Sequence, residues 1–309
     1  PPPPPPETGK CIADGIGREG GAFGVGLSAV GLLMIALLFV LRRAAPIRWG
    51  GIPFVSGWMT YCVLLLPPAV IFLATTGLYA ACYASPTVYY ICLSLFPFDS
   101  LLFFVAAFGD PGFLPRGVNS DGIDDAILKE TVNGISIDLK VCKTCKIIRP
   151  PRSSHDRKTD RCVRRFDHYC PWIGNAVGEG NYVWFLAFVT TTCFTCLLFI
   201  GICLWHISHL SMRLYADSDD GAGGLVAGEQ LGSGTAFGKA LAKGGLISLF
   251  LLCYLALVAF LTGALLSFHL RFISRGLTTY EWLKGTWKAY ERNPFDGGTA
   301  ANFMFICHP

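Results

Sequence analysis

The run Phe166-Asp167-His168-Tyr169-Cys170-Pro171-Trp172 places an acid, an imidazole and a thiol within four residues. That is the composition of a cysteine nucleophile with its base and its orienting carboxylate. A free thiol with a pKa near 8.5 is only a few per cent ionised at pH 7, and lowering it to about 7 beside His168 raises the thiolate share more than tenfold. Asp167 and His168 are chain neighbours, so contact between their side chains needs a tight local turn, which the residue order permits but does not dictate. Just upstream, Cys142-Lys-Thr-Cys145, His155 and Cys162 make the spacing C-x2-C-x9-H-x6-C. A tetrahedral Zn²⁺ needs four such donors at about 2.0–2.3 Å, and C-x2-C sets two thiolates on one face of the ion. The stretch between Ile147 and Arg165 has too little apolar content to fold alone, which favours a structural metal that supplies folding free energy. The alternatives are a redox-active C-x2-C, which lacks a βαβ setting here, and four unrelated loop residues.

The elements that must carry these residues are membrane spans. In 309 residues the chain is 52% apolar and only 15% charged, much greasier than a soluble domain and incompatible with intrinsic disorder. Apolar stretches at Gly21–Leu41, Met59–Ala81, Thr87–Phe108, Val183–Ile207 and Leu246–Phe268 are each long enough to cross about 30 Å of hydrocarbon. The expected class is an all-α polytopic membrane protein. It has a four-helix transmembrane core, one extra N-terminal span and a small zinc-stabilised cysteine-rich domain. The first apolar run is too long for a signal-peptide core and lacks a cleavage site, so it reads as a retained helix. Because the first residue is Pro rather than Met, an N-terminal part of the gene product is expected to precede it.

The organisation that follows is an N-terminal extension over 1–58 containing the 21–41 span, two core helices over 59–108, the zinc and catalytic domain over 109–182, two core helices over 183–268, and a C-terminal segment over 269–309. Twelve Lys and Arg lie in 109–182, five in 269–309 and three in 41–58, and these alternate segments belong on one side. The positive-inside rule makes that side the cytoplasm. The loop over 208–245, with nine Gly, reads as a flexible connection on the opposite side. Golgi, endoplasmic reticulum and plasma membrane are not distinguished. A net charge of +4 gives no argument for nucleic acid. Asp99 lies within a span beside Pro97, where a carboxylate costs roughly 2.5–3.5 kcal/mol on insertion scales. A protonated or bundle-facing acid is the plain reading, and an ion or proton path is the functional one.

The run from Cys142 to Phe185 resembles the cysteine-rich domain of the DHHC-type protein S-acyltransferases, the palmitoyltransferases. The resemblance rests on Cys142-x2-Cys145, Arg149-Pro150, Arg152, His155, Cys162, Asp167-His168-x-Cys170, Pro171-Trp172, Asn175, Gly178, Asn181 and Phe185. Asp110-Pro111-Gly112, Thr278-Thr279-x-Glu281, Asn293-Pro294-Phe295 and Asn302 agree in order. It covers about Met59 to Ile306 and leaves 21–41 beyond the family's usual four spans. The resemblance implies a two-step acyl transfer. Cys170 takes the acyl group of palmitoyl-CoA and passes it to a cysteine of a protein substrate at the cytoplasmic membrane surface. It further implies that His168 is the base, that Asp167 orients it, that Thr279 backs Asp167, and that Asn302 anchors the tail.

One departure is systematic. A second zinc site of the family falls here on Asp156, Thr159, Tyr169 and Ala176, so its whole ligand set is absent and the signature is DHYC. The expectation is one structural zinc, held by Cys142, Cys145, His155 and Cys162, with the second replaced by packing and hydrogen bonds. Since the replaced His belongs to the metal site, the change need not abolish activity, and some family members with this Tyr are active.

Fourteen methylenes at about 0.8 kcal/mol each favour threading a palmitoyl chain between helices by roughly 11 kcal/mol. Trp172 is expected to cover the thioester, with Arg161, Arg164 and Arg165 at the CoA phosphates. For the arginines, positive-inside topology and attraction to anionic lipid is an equal reading. Rival functions are an inactive membrane scaffold that docks partners through its zinc knuckle and a transporter using Asp99. A tail cysteine, Cys307, is a secondary acylation candidate.

Overall fold

A computed structural model of the chain describes residues 57, 60–117, 128–219 and 233–307. The expected span at 21–41 lies outside the described residues, as do most of the N-terminal extension and the middle of the 208–245 loop. Among the described residues four helices are long and apolar enough to cross a membrane: α1 (Tyr61–Tyr83), α2 (Pro86–Phe108), α3 (Tyr182–Asp219) and α5 (Leu246–Ser274). Their apolar residues run around the whole circumference rather than along one stripe, as expected where the surroundings are lipid. α1 carries two π-helical stretches, Tyr61–Leu65 and Leu73–Gly77. The first lies just ahead of Pro67-Pro68, whose rings donate no hydrogen bond and crowd the carbonyl four residues earlier, so the helix widens there.

α3 runs past Ile207 to Asp219, and α4 (Ser233–Ala240) continues through a π-turn into α5. Much of 208–245 is therefore helix rather than loop, because Leu210 to Tyr215 extend the helical pattern further than hydropathy alone marks. Among the described residues the chain forms two compact units, one of Leu64–Asp99 with Thr191–Thr262, the other drawing on Ser100–Thr190 and Gly263 onward.

The first unit has an apolar centre in which Phe72 stacks on Phe199 at 3.9 Å and Cys92, Cys203 and Leu251 are fully buried. A polar chain crosses it: Thr76 Oγ1 lies 2.7 Å from Ser248 Oγ, which meets His206 Nδ1 at 2.7 Å. Asp99 is hydrogen-bonded with Thr191 and Thr195 of α3, the bundle-facing arrangement that a carboxylate at this depth requires.

The second unit holds the cysteine-rich segment, built from four two-stranded antiparallel hairpins. These are β1–β2 (Lys129–Val132, Ile135–Asp138), β3–β4 (Lys140–Cys142, Ile147–Arg149), β5–β6 (Ser154–Asp156, Arg161–Val163) and β7–β8 (His168–Cys170, Asn175–Val177). Two strands of three residues are not stable alone, so side chains must hold the hairpins. Asn181, fully buried at the start of α3, donates to Ala106 O at 3.0 Å and Ala176 O at 2.9 Å and accepts from Gly178 N at 3.0 Å. Asn175 Nδ2 donates to Gly109 O at 2.9 Å. Gly178 has no room for a side chain, because a Cβ there would lie 2.5 Å from Pro111 O and 2.5 Å from Val163. These contacts seat β7–β8 on the turn after α2, where Asp110 Oδ1 accepts from Gly112 N and Phe113 N at 2.9 Å.

After α5 the chain turns at Gly276 into α6 (Thr279–Lys284). Thr278 and Glu281 cap it reciprocally and Gly285 ends it at φ 59°. α7 (Thr299–Cys307) follows, its Asn302 bonding Ser274 O at 3.2 Å and Asp296 Oδ1 at 2.8 Å.

Candidate active site and metal centre

The register of β5–β6 sets His155 opposite Cys162, and β3–β4 brings Cys142 and Cys145 round the same turn. His155 Nδ1 lies 3.6, 3.3 and 3.9 Å from the sulfurs of Cys142, Cys145 and Cys162. A tetrahedral zinc with bonds of 2.05 and 2.3 Å separates nitrogen and sulfur donors by about 3.6 Å. The four donors lie within 4.8 Å of one another, so the cluster fits a metal ion without rearrangement. The far nitrogen of His155, Nε2, faces Asp160 Oδ1 at 3.6 Å, and Asp160 in turn is paired with Arg116. A carboxylate behind a ligating imidazole orients it and raises its basicity.

Where the resemblance calls for second-site ligands, hydrogen bonds stand instead. Asp156, buried, accepts from Thr159 N at 2.9 Å and from Thr159 Oγ1 at 2.7 Å. Tyr169 and the fully buried Ala176 are directly paired across β7–β8. A carboxylate spent on a turn and an alanine offer no metal cage.

The hairpin β7–β8 presents the other group. Asp167 Oδ2 lies 2.7 Å from His168 Nδ1, so the tight turn the neighbouring positions require is made. Asp167 N donates to Val177 O, holding its backbone at the mouth of the hairpin. The carboxylate is 1% exposed, and its other oxygen accepts from Thr279 N at 2.9 Å. Thr279 thus reaches Asp167 through its backbone amide, while its buried Oγ1 has no hydrogen-bond partner among the described residues. Cys170 lies near enough to the same imidazole to interact with it.

Burial alone would raise the Asp167 carboxyl, but the hydrogen bond and charge of His168 hold it below the usual range. Burial alone would lower the His168 imidazole, yet the bonds to Asp167 and Cys170 and their negative charge push it up to about 9. The arrangement therefore keeps a proton on His168 at neutral pH beside a buried anion.

Arg152 fixes Thr279 to this site. Its backbone is left-handed at φ 64°, and its guanidinium grips both oxygens of Glu281 at 2.7 Å and Gly276 O at 2.8 Å. The expected phosphate arginines are differently engaged. Arg161 lies over Phe113, Arg164 meets Glu179 at 3.4 Å, and Arg165 sits over Tyr182 and Phe305 with burial lowering its guanidinium. Trp172 is 62% exposed two residues from Cys170.

A groove of about 690 Å³ opens between the zinc hairpins and α6, lined by Lys143, Arg149, Arg157 and Lys284 with Phe166 and Tyr280. Arg149 Nε is buried there without a hydrogen-bond partner among the described residues. Composition could not single out these four cations from the other basic residues, because only the packing of α6 beside the hairpins brings Arg149 and Lys284 to one groove.

Four apolar spanning helices among the described residues, a Cys₃His cluster and a carboxylate–imidazole pair beside a thiol define a class of membrane protein. Residues 135–286 match the family model described as DHHC palmitoyltransferase, and the chain belongs to that family. It is 32% identical over 270 residues to Palmitoyltransferase ZDHHC14 of Danio rerio, covering 79% of this chain and 51% of that protein. It is 31% identical over 245 residues to Palmitoyltransferase ZDHHC18 of Rattus norvegicus, covering 74% and 57%. To Palmitoyltransferase ZDHHC9 of Pongo abelii it is 29% identical over 303 residues, covering 84% and 76%. The chain spans about half the length of the first two relatives.

Proposed function

We propose that this chain is a protein S-acyltransferase that moves palmitate from palmitoyl-CoA to protein cysteines at the cytoplasmic membrane surface through an acyl-Cys170 intermediate. The observation that carries the reading is the buried Asp167–His168 hydrogen bond of 2.7 Å with Cys170 on the same imidazole. The Cys170 thiolate attacks the thioester carbonyl, the carbon–sulfur bond to CoA breaks, and the His168 imidazolium donates its proton to the departing CoA sulfur. In the second step neutral His168 takes the proton of the incoming protein thiol. That sulfur attacks the acyl-Cys170 thioester, and Cys170 leaves as thiolate. One thioester replaces another in each step, so no energy source is needed. Asp167 keeps the imidazole in one orientation throughout.

Zn²⁺ at Cys142, Cys145, His155 and Cys162 is structural in this reading, since all four positions are taken by protein ligands. The groove with Arg149, Arg157, Lys143 and Lys284 supplies the charge and the open donor for the phosphates of CoA. Incubation of the purified protein with labelled palmitoyl-CoA tests the proposal. A hydroxylamine-sensitive label that Cys170→Ser removes is expected, and unchanged labelling of that variant would sink the assignment. A scaffold that only docks partners through the zinc cluster gives no label at all.

A further inference from the structure

We propose that His269, oriented by Tyr182, is a positioning residue for the Asp167–His168 pair; the inference rests on the acyl-transfer reading for its kinetic consequence. His269 lies in α5, far in sequence from the hairpin, yet one of its ring nitrogens is within 4.8 Å of a nitrogen of His168 and an oxygen of Asp167. It is 2% exposed. Tyr182 OH, from α3, meets its Nδ1 at 2.9 Å. Phe185 stands edge-on to both imidazoles, with centroids 5.4 Å from His168 and 5.3 Å from His269, and the two imidazoles are 5.8 Å apart.

A hydroxyl that donates to Nδ1 leaves the ring proton on Nε2, the nitrogen free to turn toward the pair. Asp167 needs such a dipole. It is a buried carboxylate that accepts from His168 Nδ1 and Thr279 N, and a buried anion with spare acceptor sites is costly. A neutral N–H dipole helps solvate the carboxylate without setting a second cation against the His168 imidazolium. The titratable groups facing His269 are Asp167 and His168 from the hairpin and Tyr182 from α3, with Arg165 over the Tyr182 ring at 5.9 Å.

Loss of the dipole makes Asp167 a stronger acceptor and tightens its hold on the His168 proton. In His269→Leu, Cys170 self-acylation is expected to fall about 10- to 100-fold in kcat with the KM for palmitoyl-CoA little changed. The alkaline limb of its pH profile should move to higher pH. His269→Gln, which keeps a neutral N–H near the position of Nε2, is expected to restore the rate to within about threefold and return the limb. A wild-type-like His269→Leu, or a His269→Gln as impaired as Leu with an unshifted limb, overturns the inference while leaving Cys170 acylation standing. NMR titration of the His168 ring in both variants needs no turnover. An upward shift in His269→Leu alone supports the positioning role, and no shift overturns it even where the acylation reading fails.

Discussion

The acyl transfer proposed at Cys170 depends on where one proton resides. His168 is raised from an ordinary 6.5 to about 9, so the imidazolium is fully held below pH 6.5 and is lost as pH rises through about 9. The acid that protonates departing CoA should vanish over that window, and kcat for self-acylation is expected to fall with an alkaline limb near pH 9. Asp167→Asn removes one of the partners that raise the imidazole, so its limb should move down toward pH 6.5, measured as the pH dependence of single-turnover labelling. His168→Ala is expected to slow labelling by about 10² to 10⁴, the range of a positioned proton carrier, with bound zinc unchanged because His155 is the ligand. A loss of metal in that variant would contradict the division between the two histidines.

At the level of elements, the hairpins are held by different means. β3–β4 and β5–β6 are joined through the Cys₃His cluster, and elemental analysis of purified protein should return one zinc per chain. Cys145→Ser should release that zinc and remove most acylation although Cys145 has no contact with substrate, because the metal's binding energy folds the loop. Two zinc ions per chain would refute the replacement of the second site. Asp156→Ala tests the substitute directly. It leaves the half-buried Thr159 N and Oγ1 without the acceptor they now have at 2.9 and 2.7 Å, a cost of roughly 0.5–1.5 kcal/mol per lost hydrogen bond. A lower thermal midpoint at undiminished zinc content is the expected result, and zinc loss would mean that Asp156 is a ligand after all.

At the scale of the whole molecule, α3 and α5 separate the cysteine-rich hairpins from the segment after Ser274, so two crossings return the chain to the same side. Arg152 and Thr279 N must reach Glu281 and Asp167 across that arrangement, which they do. The positive-inside balance predicts that this side is the cytoplasm. In sealed, right-side-out vesicles, a membrane-impermeant amine reagent should spare Lys143 and Lys284 and modify Lys239 between α3 and α5. Labelling of Lys143 or Lys284 without permeabilisation would reverse the topology.

Sequence alone determined where the helices expected at 59–81, 87–108, 183–207 and 246–268 begin to within two residues, because long apolar runs have few other destinies, while α3 and α5 run past their expected ends to Asp219 and Ser274. It also singled out Cys142, Cys145, His155 and Cys162, which the fold brings within 4.8 Å of one another, since four soft donors at that spacing are complete in themselves. The DHYC departure was legible too, as four positions changed together. What it left open was settled by long-range approach. Asp167 and His168 meet only because β7–β8 turns tightly behind them. Thr279 acts through an amide that no residue type announces. Arg149 and Lys284, 135 positions apart by their numbers, line one groove, and His269 reaches the site only through helix packing. Local patterns report elements and self-contained ligand sets; which distant side chains share a buried volume is decided by packing, and packing is where the working geometry of this site is made.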